Sequence, residues 1–168
     1  MVAGEDRCPC EAVSHGKLGP VENSERLARV ALHPIHFKNS GALKPGVFPI
    51  TQLMEGGLSL TRVDKIDREE LEAVIADIAK AAKAAKAKFA EGVLLGRVDA
   101  IRALLDESGG RALCATDDPV VGQVGLRDNE AHALVLRSAD QADPEIRALR
   151  GELLTIFGRV KKTAEVYV

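Results

Sequence analysis

"IDREELEAVIADIAKAAKAAKAKFA", residues 66–90, is the clearest structural signal in the chain. Asp67 and Glu70 form a capping box, in which each side chain can bond a backbone N–H that the first helical turn leaves unpaired. Apolar residues then recur at helical spacing as far as Phe89, and the lysines fall away from that stripe. The pattern predicts one long amphipathic helix over about 68–90.

The sequence on either side of this helix mixes further strands and helices. Residues 58–63 alternate in polarity, and the apolar segments 111–118 and 131–137 are short, so we expect a strand in each. Asp143 with Pro144 at the first helical position opens a second amphipathic helix.

The two ends of the sequence contribute shorter elements. "NSERLARVAL", residues 23–32, is typical of a short helix that Pro34 stops. Residues 164–168 predict a last strand. Because strands and helices are intermixed without a βαβ rhythm, the sequence predicts an α+β fold, with a mainly antiparallel sheet and two or three amphipathic helices packed on one face.

Composition limits the class of protein. A chain of 168 residues can bury one full core, and its 3% aromatic content with no Trp counts against binding of single-stranded nucleic acid through stacked bases. The net charge of -2 gives no overall attraction to nucleic acid or membranes, and no apolar run approaches the ~18 residues of a membrane span.

We expect a flexible arm over 1–22 and a single α+β domain over 23–168. Since no secretory signal is evident, we also expect a cytoplasmic location.

Two histidines lie in "HPIHFKNSGALKPGVFP", residues 33–49. His33 and His36 are three residues apart, which on a helix would place both imidazoles on one face for acid–base work or metal binding. Pro34 works against a continuous helix here. The alternative is that His33 caps the end of a helix and His36 packs in the loop.

Two further groups of polar residues could carry chemistry. Ser59 and Arg62 follow a glycine pair, which lets an anion approach the backbone while the guanidinium binds it, although a solvated or ion-paired arginine explains the pattern equally well. Asp118 and His132 flank the loop between two predicted strands, where sites often lie. A turn-forming aspartate and a half-buried histidine are the structural alternative.

The cysteines give a weak metal signal. Cys8, Cys10 and His15 could offer two thiolates and an imidazole to zinc, but the C-x-C spacing is tight and no fourth ligand is evident. An odd number of cysteines does not make a disulfide framework, so we expect free thiols on the arm, a buried Cys114, and no cofactor.

Several segments together resemble a known group of proteins. "ERLARVALHPIHF", "GALKPGVF", "GGLSLTR", "DDP" and "EAHALV" are similar to a group of small, uncharacterised bacterial domains with a histidine–proline turn, an "LS…R" strand and a "DP…HA.V" ending. The resemblance covers about residues 24–136. It implies a shared cluster of five residues, His33, Ser59, Arg62, Asp118 and His132, and no secure activity.

Three functions therefore remain open, one of them a metal-binding module that uses Cys8, Cys10 and His15. Of the other two, the first is a cytoplasmic accessory or interaction domain that acts beside a protein partner, since no complete catalytic motif is present. The second is a small enzyme for a phosphate- or nucleotide-bearing substrate, in which His33 or His36 acts with His132 as acid and base. Arg62 would stabilise the charge that develops. The enzyme hypothesis requires these side chains to share one cleft. A homo-oligomer is compatible with each of these functions.

Overall fold

The protein folds around one antiparallel sheet of five strands. A computed structural model describes residues 8–125 and 127–168, with the side chains of Pro9 and Cys10 outside the described part. The spatial order of the strands is β3-β1-β2-β5-β4. They are β1 (Arg26–His33), β2 (Leu58–Arg62), β3 (Phe89–Arg97), β4 (Leu113–Asp117) and β5 (His132–Arg137).

Five α-helices accompany the sheet in the described part of the chain, which confirms the predicted α+β fold. They are α1 (Ile50–Met54), α2 (Arg68–Ala81), α3 (Val98–Arg102), α4 (Asp143–Phe157) and α5 (Thr163–Val166). Helices α1, α3 and α4 share one apolar core with the sheet, while α2 and α5 share a second core on the opposite face. The helices thus divide between two faces, where the sequence prediction placed them on one. Among the described residues, no helix is long and apolar enough to cross a membrane.

The segment predicted as a helix over 23–32 is the central strand β1, so that prediction is wrong. Leu27 lies in the core beneath α4, and Ala28 lies in the core beneath α2. A strand that is buried on both faces carries a continuous apolar run without alternation, which periodicity alone does not distinguish from a helix. Eight residue pairs with β3 hold β1 in place.

The long helix predicted over 68–90 is shorter in the structure. The capping box forms, because the Glu70 N–H donates to the Asp67 carboxylate at 2.8 Å and the Asp67 N–H donates to Glu70 at 3.2 Å. Helix α2 nevertheless ends at Ala81, and a left-handed Lys86 (φ 65°) turns the chain into β3. Pairing with β1 overrides the helix propensity of the alanine-rich segment. The last strand predicted over 164–168 is likewise replaced by α5.

The sheet has a split between β1 and β2. These strands pair at only two positions, Leu27 with Arg62 and Ala28 with Thr61, although β1 continues to His33. Beyond these two positions, β1 continues to pair with β3, and β2 pairs with β5 at four positions. Neighbouring strands of one sheet therefore separate part of the way along their length.

Residues 8–22, predicted as part of a flexible arm, are anchored to the sheet edge. Cys8 forms a disulfide with Cys114 on β4, so the two are not the free thiols expected from sequence. The Glu11 carboxylate accepts from the Ala115 N–H at 2.6 Å and from Arg102 at 3.0 Å, and it also pairs with Arg111. These contacts cover an edge strand that would otherwise be open to pairing with another chain. Residues 1–7 lie outside the described part.

Counting thiols tests this disulfide. The chain has three cysteines. We expect denaturation without reductant to expose one reactive thiol per chain, that of Cys10, and Cys10→Ser to expose none. Because the bond closes a loop of 106 residues, reduction should lower the free energy of unfolding by ~3–5 kcal/mol. Three reactive thiols in protein purified without reductant would contradict the pairing.

Candidate functional site

A cleft of about 320 Å³ opens on the α2 face of the sheet, at the split between β1 and β2. Its volume is at the lower end of the range typical of small-molecule pockets. Apolar side chains from β1 and α2 form much of its wall, namely Val30, Leu32, Val74 and Ile78, together with Val120 from the loop between β4 and β5. Ala28 and Leu60 also line it. The other lining residues are polar or charged, namely Arg29, His36, Ser59, Thr61, Asp77, Arg127, Asn129 and His132.

Arg29 is the most unusual residue of this cleft. Its Nε donates to the Val47 carbonyl at 2.9 Å, and its Nη1 donates to the Ser59 carbonyl at 3.1 Å, so the side chain spans the split from β1 to β2. No carboxylate in residues 8–125 and 127–168 forms an ion pair with it. Burial lowers the pKa of the guanidinium to about 10. Two of its five N–H donors have protein acceptors, which leaves a partly desolvated cation with unused donors.

His36 is a neutral histidine at the same end of the cleft. Its side chain is 9% exposed, and Nδ1 accepts the Leu32 N–H at 2.9 Å. Burial lowers its pKa to about 4, and the positive charges of Arg29 and Lys44 act in the same direction. The sequence-based alternative of a histidine packed in the loop is therefore what the structure has.

His132 and Asp118 lie together at the other side of the cleft. The His132 Nδ1–H donates to the Asp118 carbonyl oxygen at 2.7 Å, and one carboxylate oxygen of Asp118 is 3.1 Å from the same nitrogen. His132 pairs directly with Thr61 across β2 and β5. Ser59 is two residues along β2 and on the same face, so its Cβ is about 7 Å from that of His132. The structure thus brings Ser59 and His132 to one cleft, and Asp118 contacts His132.

Arg62 is not part of this cleft. The side chain is 0% exposed, and it pairs with Glu25 through two hydrogen bonds of 2.7 Å. It also donates to the carbonyls of Gly19 and Pro20 at 2.8 and 3.2 Å. Because Thr61 faces the cleft and successive residues of a strand face opposite sides, Arg62 lies on the other face of the sheet. It is a structural ion pair that ties the segment before β1 to β2.

His33 is also remote from the other predicted catalytic residues. Arg62 pairs with Leu27 near the start of β1, whereas His33 is the last residue of that strand. Six residues of strand separate them by about 20 Å. The His33 ring stacks instead between Phe37 and Phe89. His33, Arg62 and His132 therefore do not converge, and the enzyme hypothesis that needs their convergence lacks its geometry.

The cysteine–histidine group does not gather as a metal site either. Cys8 is bonded to Cys114, and His15 contributes its backbone N–H to Asp117 at 2.8 Å. The Cys10 side chain lies outside the described part. Within the described ranges, no three side chains of His, Cys, Asp or Glu come close enough together to hold a metal ion.

Sequence reasoning missed Arg29 and the groups that face it. The available signal was a charged residue inside the apolar run "LARVAL", but the helix predicted over 23–32 gave Arg29 no role. Asp77 and Arg127 gave no local signal. They form an ion pair of 3.9 Å between α2 and the loop after β4, which only the fold brings together.

Comparison with protein-family models, with curated proteins and with solved structures finds no match for this chain. The resemblance to small bacterial domains accordingly stays a prediction.

Replacing Arg62 tests its structural role. Arg62→Met should lower the free energy of unfolding by up to ~3–5 kcal/mol, because it leaves the buried Glu25 carboxylate with only the Lys65 ammonium, 4.0 Å away, as a charge partner. The double variant Glu25→Gln/Arg62→Met should lose less than the sum of the two single variants. Arg68→Met, which removes an exposed pair with Glu72, serves as the control and should change stability by less than ~1 kcal/mol in denaturant titrations. An Arg62→Met protein as stable as this control would contradict the assignment.

The neutral state of His36 predicts a pH dependence of stability. Its folded pKa of about 4 is below the value of 6.5 expected in the unfolded chain, so the unfolded state takes up a proton first as the pH falls. Stability should be full above pH 6.5 and decline by up to about 3 kcal/mol towards pH 4 on account of this group. His36→Asn keeps an acceptor for the Leu32 N–H but does not titrate. The stability advantage of the native protein over this variant should therefore shrink between pH 7 and pH 4, and a constant difference would refute the assignment.

Proposed function

We propose that the protein is a non-catalytic binding domain whose cleft takes a small molecule with an apolar body and one anionic group. The observation that carries this proposal is Arg29, a partly desolvated guanidinium without an ion-pair partner among the described residues, at the edge of a largely apolar cleft. An unpaired charge in such a place is costly, and a ligand carboxylate or phosphate would compensate it.

The other lining groups suit the same ligand. Val30, Val74 and Ile78 offer apolar contacts, and the neutral His36 adds no competing charge. The Asp77–Arg127 pair joins the two walls of the cleft, and both side chains are about half exposed. Such a pair contributes only ~0–1 kcal/mol, so an entering anion can exchange with Asp77 at little cost.

Catalysis is the second candidate, supported by the Asp118–His132 hydrogen bond beside Ser59. In this arrangement Asp118 orients the imidazole through Nδ1 and leaves Nε2 for a reacting group. Ser59 and His132 share no hydrogen bond in the described part of the chain. A phosphate-bearing substrate would then use Arg29 in the role that the sequence analysis gave to Arg62. We rank this role below simple binding, since nucleophile and base do not meet.

Location and partners remain part of the proposal. The sequence favours the cytoplasm and a protein partner, as expected for an accessory domain. The Cys8–Cys114 disulfide argues against a cytoplasmic location, because such bonds persist mainly in oxidising compartments. The thiol count described above, made on protein in its native compartment, distinguishes the two.

A tryptophan reporter tests the binding proposal. The chain has no Trp, so Ile78→Trp places a single fluorophore at the rim of the cleft. Hexyl phosphate and hexanoate should change its emission with saturation, whereas hexan-1-ol and hexylammonium should bind at least tenfold more weakly. In the same background Arg29→Met should weaken hexyl phosphate binding by about 10- to 100-fold, in line with the loss of a charged hydrogen bond.

The matched control is Arg159→Met, which also removes an arginine but lies outside the cleft. It should leave the affinity unchanged, and Arg29→Lys should retain much of it because the charge remains. Equal affinities for hexyl phosphate and hexan-1-ol would contradict an anion site. So would an Arg29→Met variant that is folded by circular dichroism and binds as tightly as the parent protein.

A further inference from the structure

A second surface of the protein has the chemistry of a nucleic-acid contact. We propose that the exposed ring of Phe89, backed by His33 and Phe37 and with Lys86 and Lys88 close to it in the chain, binds single-stranded nucleic acid by stacking a base and contacting the neighbouring phosphates. This surface, the aromatic–lysine surface, consists of His33, Phe37, Phe89 and the lysines of 33–54 and 78–90. The proposal is separate from the binding function of the cleft.

The first observation is a stack of three rings. The His33 and Phe89 rings are 5.0 Å apart between centroids and 9° from parallel, and the Phe37 ring lies 5.6 Å from His33 on a 28° tilt. Phe89 is 50% exposed. The other two phenylalanines of the chain, Phe48 and Phe157, contact each other in the core and are at most 1% exposed. Phe48 and Phe157 are thus core residues, whereas Phe37 and Phe89 lie at the surface in a pre-ordered stack with His33.

The second observation is the charge around these rings. Segments 33–54 and 78–90 contain six lysines and no acidic residue, and they are bounded by Glu55, Asp77 and Glu91. The lysines are Lys38, Lys44, Lys80, Lys83, Lys86 and Lys88; all are exposed, and none has an ion pair with a described residue. The near-neutral total charge of the chain therefore includes two segments that are locally basic.

The fold brings rings and lysines to the same place. His33 pairs with Phe89 at the end of the β1–β3 ladder, and the Lys88 N–H donates to the His33 carbonyl at 2.8 Å. Lys38 directly follows Phe37, and Lys86 lies at the turn into β3, three residues before Phe89. Three of the six cations thus lie within three residues of the ring stack in the chain.

The combination favours single-stranded nucleic acid over other polyanions. Anionic lipid or an acidic protein would be attracted to the lysines but would gain nothing from an open, flat, pre-stacked ring. A base has a π-face for Phe89 and a phosphate on either side for lysines, which is how sequence-tolerant single-strand binding works. The sequence argument against such binding counted the aromatic residues but had no means of placing them.

Anisotropy of a fluorescein-labelled 12-nucleotide oligouridylate at low salt tests the proposal. Phe89→Ala should weaken binding by about 10- to 100-fold, whereas Phe89→Trp should bind at least as well as the native protein. Because the native chain has no Trp, the emission of Phe89→Trp should be quenched when a base stacks on it. Lys86→Gln/Lys88→Gln should reduce the slope of log affinity against log salt by about 1.4, the value for two phosphate contacts on a single strand.

The control removes the same charge elsewhere. Lys17→Gln/Arg68→Gln alters two exposed cations outside the aromatic–lysine surface and should leave affinity and slope nearly unchanged. Three results would overturn the proposal: equal binding by Phe89→Ala and the native protein, equal affinity for heparin, which has no bases, or binding to vesicles with anionic phospholipid but not to the oligonucleotide. Unquenched indole emission from the Phe89→Trp variant in a bound complex would also exclude stacking at this ring.

Discussion

The short pairing between β1 and β2 is the constraint on which the rest of this structure depends. Each strand is secured on its other side, β1 by eight pairs with β3 and β2 by four pairs with β5, but the two join at only two positions. The join is held by arginines in two different ways. Arg62 is fully paired with Glu25 beneath the sheet, whereas Arg29 spans the split and binds carbonyl oxygens alone. If β1 and β2 paired over a longer ladder, the split between them would close and the cleft would be lost.

This difference between two arginines explains why the site differs from the one expected. Both lie in apolar strands, and sequence gives no means of telling which one has a carboxylate partner. Glu25 is 37 residues from Arg62 and reaches it only because β1 and β2 are neighbours. The functional interest therefore moves from Arg62 to Arg29, while Ser59, Asp118 and His132 stay at the cleft where cross-strand pairing places them.

The sequence predicted what local chemistry determines. The capping box at Asp67, the strand at 58–62 and helix α4 with its Pro144 all depend on neighbouring residues, and all are present. Predictions for elements that tertiary contacts decide were wrong. β1 is apolar on both faces because helices cover both, and the alanine–lysine segment leaves the helix because Phe89 begins β3. The disulfide was missed for the same reason, since its cysteines are 106 residues apart.

Charged residues are distributed unevenly along the chain. The acidic excess lies outside 33–54 and 78–90. His33, the last residue of β1, belongs to the surface stack, and His36 in the following turn lines the cleft. The end of β1 and its turn thus contribute to both proposed binding regions, although the interactions differ. The cleft relies on a desolvated cation in an apolar setting, and the surface relies on solvated lysines beside an open ring.

The side-chain N–H signals of Arg29 test the central claim most directly. In ¹⁵N-resolved NMR spectra, the account predicts that hexyl phosphate shifts the Arg29 Nε–H and guanidinium signals and slows their exchange with water. The signals of Arg62, already paired with Glu25, should stay in place. Saturable shifts at Arg29 with none at Arg62 would support a cleft built around an uncompensated cation. An Arg29 signal that does not respond to any anion would contradict it.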